Sequence, residues 1–237
     1  MNRAPALLLG FLLTTGQAAA APPSEEDWRS CGGTAGQARL KSCAAIIDSQ
    51  QATKDDRASA LMLRGLAYLE AGDYDNALAD FSAGIRLKSD DTDVLEATFV
   101  GRGYAHLLRG DIDQAIGNET EALRIKPGDA AAMRDLGDAL SGKGDYAAAV
   151  ARYTQALKTE PGLNNILNNR GYAFLKLGRF DEAIADYTAS LEQIPDNPQT
   201  LYGRGLARRA KGDSAGAQAD IAAAEKLLPE IGKAFEQ

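Results

Sequence analysis

Three side chains in this sequence are of types suited to redox or acid–base chemistry: Cys31, Cys43 and His106, the last being the only histidine. Eleven residues separate the two cysteines, whereas a catalytic dithiol keeps two between its sulfurs. Two thiols with no third cysteine and no nearby histidine do not make a zinc site. His106 stands on a helical stretch without a serine or cysteine at a nucleophile's spacing, so it belongs to no acid–base constellation. GxSxG, HExxH and a phosphate-cradling loop are absent; "GDAAAMRDLGDALSGKGD" (128–145) puts its glycines at helix ends and packing slots instead. With 33 Asp and Glu against 26 Lys and Arg, the chain also lacks the basic footprint of a nucleic-acid binder. These residues predict no enzyme activity, no cofactor, no metal and no nucleic-acid partner.

What the cysteines do depends on compartment. "MNRAPALLLGFLLTTGQAAAAPP" opens with one arginine, continues through an apolar run and reaches small residues at Ala18 to Ala21. That order predicts a secretory signal peptide over residues 1–21, cut after Ala20 or Ala21. The run is too short for a bilayer, which needs about 20 apolar residues, and no later segment approaches that length. The expected location is therefore periplasmic or secreted, with no membrane span. Loss of Arg3 takes the formal charge from −7 to −8. Export would oxidise Cys31 and Cys43 to a disulfide, closing a loop that contributes about 3 kcal/mol on the chain-entropy account. Residues 22–57 are expected to form a loose arm (22–29) and one disulfide-tied capping helix containing Leu40, Ala44 and Ile47, its mate missing.

The rest of the chain repeats. Gly65, Gly103, Gly137, Gly171 and Gly205 fall at intervals of 38, 34, 34 and 34 residues. Ala77, Ala115, Ala149, Ala183 and Ala217 follow each at a fixed distance, and Pro127, Pro161, Pro195 and Pro229 close four of the units. Small residues at fixed places let two antiparallel helices approach closely. Gly-Asp pairs at 72–73, 110–111, 144–145 and 212–213 fit a left-handed stop and an N-cap, and proline ends the second helix. Arg64, Arg170 and Arg204 precede the glycine wherever Asp80, Asp186 and Asp220 stand sixteen residues later. Unit three has Leu136 and Arg152 at those places, and unit two has Arg102 with Asn118. This covariation predicts a bridge between the two helices of one unit, worth about 0.2–1 kcal/mol if exposed. His106 shares the register of Tyr68, Leu140, Phe174 and Arg208, a packing slot. The insertion near "SDDTDVLEA" is expected to lengthen a helix or loop.

A 34-residue period with this pattern resembles the tetratricopeptide repeat family, best in "NRGYAFLKLGRFDEAIADYTASLEQIPDN". Glu119, in a place that is usually aromatic, and Arg208 depart from it and predict looser packing in units two and five. The resemblance implies an all-α, right-handed superhelical solenoid of helix-turn-helix repeats. Its five units would span 58–91, 96–129, 130–163, 164–197 and 198–231, with a short tail at 232–237. It also implies a concave groove for a protein or peptide, lined by Met62, Leu66, Val100, Tyr104, Arg134, Asp138, Asn165, Asn168, Asn169, Tyr172, Tyr202 and Arg209. That groove is apolar toward its N-terminal half and amide-rich beyond. Gln199 and Gly203 stand where a carboxylate clamp would need basic residues, so no such clamp is expected. Leu227, Leu228, Ile231 and Phe235 are expected to pack at the C-terminal end, with weak self-association through that face as the alternative. The expected function is a non-enzymatic scaffold or adaptor. The alternatives are a mainly structural, self-associating stack and an accessory subunit of a cell-envelope enzyme complex.

Overall fold

The computed structural model describes residues 22–33 and 36–235; the expected signal peptide lies outside them. Twelve α-helices are formed among the described residues, with no strand. They are α1 (Glu25–Cys31), α2 (Gln37–Asp48), α3 (Lys54–Glu70), α4 (Tyr74–Leu87), α5 (Thr92–Arg109), α6 (Ile112–Ile125), α7 (Ala130–Gly142), α8 (Tyr146–Thr159), α9 (Asn164–Lys176), α10 (Phe180–Gln193), α11 (Pro198–Ala210) and α12 (Ser214–Leu227). A final 3-10 turn covers Ile231–Ala234. From α3 onward the helices pack as antiparallel pairs, and the second helix of each pair also packs on the first helix of the next. The first helices touch one another along the stack while the second helices do not, so α3, α5, α7, α9 and α11 form the inner layer. This is an all-α solenoid.

The punctuation works as the residue types require. Gly72, Gly110, Gly144, Gly178 and Gly212 all take φ between 72° and 86°, the left-handed region that turns the chain out of each first helix. Asp73, Asp145 and Asp213 then accept hydrogen bonds from the backbone N–H groups of Asn76, Ala148 and Gly216. Asp111 caps nothing. Its carboxylate lies 3.2 Å from His106 Nδ1 and 3.4 Å from Arg109 Nε. His106 is therefore half-buried and polar-partnered, which corrects its reading as a pure packing residue. The four extra residues lengthen α5, which has 18 residues where α7, α9 and α11 have 13.

What joins the two helices of a unit is a side chain of the second laid on the glycine of the first. A Cβ built on Gly65 would fall 2.6 Å from the Phe81 ring, and one on Gly137 2.5 Å from Tyr153. The other side of the ring meets the following unit: Gly101 lies against Phe81, and Gly203 against Tyr187. Phe81, Tyr153 and Tyr187 are fully enclosed, and burying each contributes about 1.5–3 kcal/mol. Beside the rings the expected bridges form. Arg64, Arg170 and Arg204 grip Asp80, Asp186 and Asp220 through two hydrogen bonds each, at 2.7–2.8 Å. In unit two Arg102 donates to Asn118 at 2.7 Å. Those three carboxylates are buried, so the value for an exposed pair understates the bridge: removing an arginine would strand a charge out of water.

The N-terminal end of the stack differs from expectation. Residues 22–29 are not a loose arm, because Ser24 and Asp27 form a capping box that starts α1. Helix α1 packs on α2 and is the mate that the sequence appeared to lack. The Cys31–Cys43 disulfide ties the two, buried with Ile46 and Ala60. Arg39 locks the pair to the first unit, donating to the Cys31 carbonyl and to Glu70. At the other end Ile231 is buried beside Leu191, Leu201 and Ala224, and Phe235 packs on Tyr202. Neither belongs to an open terminal face; Leu227 and Leu228 remain exposed there.

Glycine is thus required at some helical positions and not at others. Gly137→Val should lower the unfolding free energy by about 1–3 kcal/mol in chemical denaturation, because the ring of Tyr153 cannot retreat. Gly117, in α6, has open space where its Cβ would be, so Gly117→Ala should raise stability by about 0.5–1 kcal/mol. Equal effects of the two would contradict the packing described.

Candidate functional site

The inner layer carries two hollows. The larger, about 760 Å³, spans the first three units and the start of the fourth. Helix α3 contributes Leu66 and Leu69, α5 contributes Glu96, Val100 and Tyr104, and α7 contributes Arg134, Asp135 and Asp138, with Asn165 from α9. Six groove residues expected from sequence meet there: Leu66, Val100, Tyr104, Arg134, Asp138 and Asn165. The apolar half is as expected. The acidic content is not.

Most of those carboxylates have partners. Asp135 takes Arg134 at 2.8 Å, and Asp138 accepts from Tyr153 Oη at 2.6 Å and Asn169 Nδ2 at 2.8 Å. Glu96 is only 6% exposed and has no hydrogen bond or ion pair among the described residues, yet it lines the hollow. Behind it lies Glu119, 1% exposed, with neither carboxyl oxygen hydrogen-bonded. Glu119 occupies the slot that Phe81, Tyr153 and Tyr187 fill elsewhere and touches Gly103 as those rings touch their glycines. Rather than loosening unit two, it puts a carboxyl in a ring's enclosed place. Burial pushes Glu96, Asp135 and Asp138 above the ordinary carboxylate range. Burial, reinforced by the nearby Asp135 charge, pushes Glu119 up to about 10.

The second hollow, about 320 Å³, gathers Asn168, Asn169 and Tyr172 with Asp138, Gln199 and Tyr187. Its amides are partly engaged within the protein: Asn168 accepts from Thr200 Oγ1 at 2.9 Å, and Asn169 donates to Asp138. Phe235 also lines it, its ring centroid 6.0 Å from Tyr172 and 5.0 Å from Tyr202. The chain's own C-terminal turn thus contributes to the inner face. Met62 is half-buried and lines neither hollow. Arg209 lines a different one, about 360 Å³, with Ile221 and Glu225 from the last helix pair.

Sequence reading missed Glu96, Asp135 and Phe235 as inner-face residues, and it noted Glu119 only as a departure. The internal register held the signal. Glu96 replaces Ala58 and Ala130, and Asp135 replaces Gly101 and Gly203. Among the described residues no cluster of His, Cys, Asp or Glu is arranged to hold a metal ion, and no helix is long and apolar enough to cross a membrane.

A tetratricopeptide repeat family model matches residues 44–92 and 134–198. A comparison with the curated proteins finds no match. Among solved structures, MamA superposes with a TM-score of 0.62 at 21% identity, covering 73% of this chain and 97% of that one. YrrB, described as a repeat protein of this type with an unusual peptide-binding site, gives a TM-score of 0.67 at 17% identity, covering 84% and 100%. A tetratricopeptide repeat protein from Parabacteroides merdae gives 0.63 at 17%, covering 73% and 67%. At these identities the likeness concerns the fold.

The raised Glu119 carboxyl fixes a sign. Folded protein keeps a proton that the unfolded chain, with its glutamate near the ordinary 4.5, releases. Its contribution is therefore complete below about pH 4.5 and declines as pH rises toward about 10. Glu119→Gln should flatten the loss of stability between pH 5 and 9, read from denaturant midpoints at several pH values. An unchanged slope would show that this carboxyl is hydrated.

Proposed function

We propose that this tetratricopeptide-repeat chain is a non-enzymatic scaffold that holds an extended segment of another protein on its inner layer. The observation that carries the reading is the 760 Å³ hollow, which joins an apolar wall to an unpartnered glutamate across three successive units. Apolar side chains supply affinity to an extended peptide, and polar groups fix its register. Tyr104 stands 40% exposed at this hollow, ready for contact. The peptide-binding site ascribed to YrrB, on a similar fold, supports the same use.

The scaffold works after export to the periplasm or medium. The apolar leader supports this, and so does a disulfide, which persists in oxidising compartments. A second reading, self-association at the C-terminal end, has support in exposed Leu227 and Leu228 and in the hollow beside Ile221. Ile231 and Phe235, turned inward, take no part in it. Membership of a cell-envelope enzyme complex rests on compartment alone.

Site-specific photo-crosslinking in the native cell tests the first reading. A benzophenone side chain at Tyr104 should give a discrete adduct with another protein, whereas the same group at exposed Gln155 on α8 should not. Adducts only between copies of this chain would favour self-association, and no adduct at Tyr104 would contradict inner-face binding.

A further inference from the structure

Comparison of the five units with one another isolates an anomaly at the junction of units two and three. Three slots that hold uncharged side chains in the other units, Asn164 and Asn169 of unit four among them, hold carboxyls here. Glu96 stands where Ala58 and Ala130 do, Glu119 where Phe81, Tyr153 and Tyr187 do, and Asp135 where Gly101 and Gly203 do. All three are at least 94% buried. Within the hollow only Arg134 answers them, and its guanidinium is held by Asp135. Neither carboxyl oxygen of Glu119 is hydrogen-bonded, and Glu96, which lines the hollow, has no hydrogen bond or ion pair among the described residues. Packing does not explain Glu96 and Glu119, since an alanine and a ring fill the same slots in the units on either side. Enclosing an unpaired carboxyl costs stability, so the arrangement makes physical sense when a cation completes it.

An organic cation fits this hollow better than a metal ion. Among the described residues no group of acidic side chains has the geometry to hold a metal ion. Leu66, Leu69, Val100 and Tyr104 line the same hollow as Glu96, an apolar surface that suits an aliphatic stem and a neighbouring apolar side chain. We infer that the hollow selects partner segments in which a lysine or arginine adjoins a large apolar residue, the basic group lying on Glu96 and the apolar one on the Leu66–Val100 wall. This rests on the reading of the inner layer as a peptide groove and adds the class of peptide. Burial holds Glu96 and Asp138 above their ordinary range, and an arriving positive charge would favour their ionised forms.

The test selects from a random twelve-residue peptide library displayed on phage, followed by fluorescence anisotropy on the winners. Enriched peptides should carry Lys or Arg beside Leu, Ile, Phe or Tyr. Replacing that arginine by neutral citrulline should weaken binding at least tenfold, the scale of one charge-assisted hydrogen bond. Glu96→Gln, verified as folded by circular dichroism, should weaken the arginine peptide similarly and leave the citrulline peptide unchanged. Because citrulline leaves the protein untouched, the test survives misfolding of that variant. Enriched peptides without basic residues, or binding indifferent to citrulline, would overturn the inference while leaving a peptide groove in place. Failure of any peptide to be enriched would overturn both.

Discussion

The stack depends on one close approach: the side chain of a second helix laid flat on the glycine of the first, with the next unit closing over its other side. Because Gly65, Gly137 and Gly171 carry no Cβ, the rings of Phe81, Tyr153 and Tyr187 lie within van der Waals contact of the helix backbone itself. Each ring belongs to two units at once, so it fixes the spacing within a pair and the increment between pairs. The Arg–Asp bridges add register, joining helices at a place where an apolar contact alone would permit sliding. Left-handed glycines and aspartate caps then deliver each second helix at the required angle.

Residue spacing was enough to read this much, because a repeat announces its own geometry five times. Helix pairs, turn glycines and bridges all follow from residue types at fixed intervals, and the disulfide from the export that the N-terminal segment predicts. The ends were harder, since no neighbouring copy exists to compare with them. Ser24 and Asp27 form a capping box whose signature is visible in the sequence, in a segment that lies outside the repeat register. Phe235 lies beyond the last register position, and its turn toward Tyr172 and Tyr202 is a tertiary preference that no periodicity records. The inner layer was half legible. Its apolar wall came from the register, whereas the acidic floor came from residues that break it.

Glu119 shows why a broken rule is informative. As a lone departure in the sequence it reads as weak packing. In the structure it is enclosed as fully as the rings it replaces, with two more buried carboxyls, Asp135 and Glu96, nearby. A solenoid distributes stability over contacts between neighbours, so one costly junction is tolerated while the flanking units hold. That latitude lets the chain keep ionisable groups out of water without unfolding, beside the hollow where a partner segment would lie.

Carbon NMR titration of the Glu119 side-chain carboxyl tests the central claim most directly, because it reports that group's environment without reference to any partner. The account predicts a resonance that stays in the protonated position at pH 7 and moves only as the solution approaches pH 10. A carboxyl that ionises near 4.5, as a hydrated glutamate does, would contradict it.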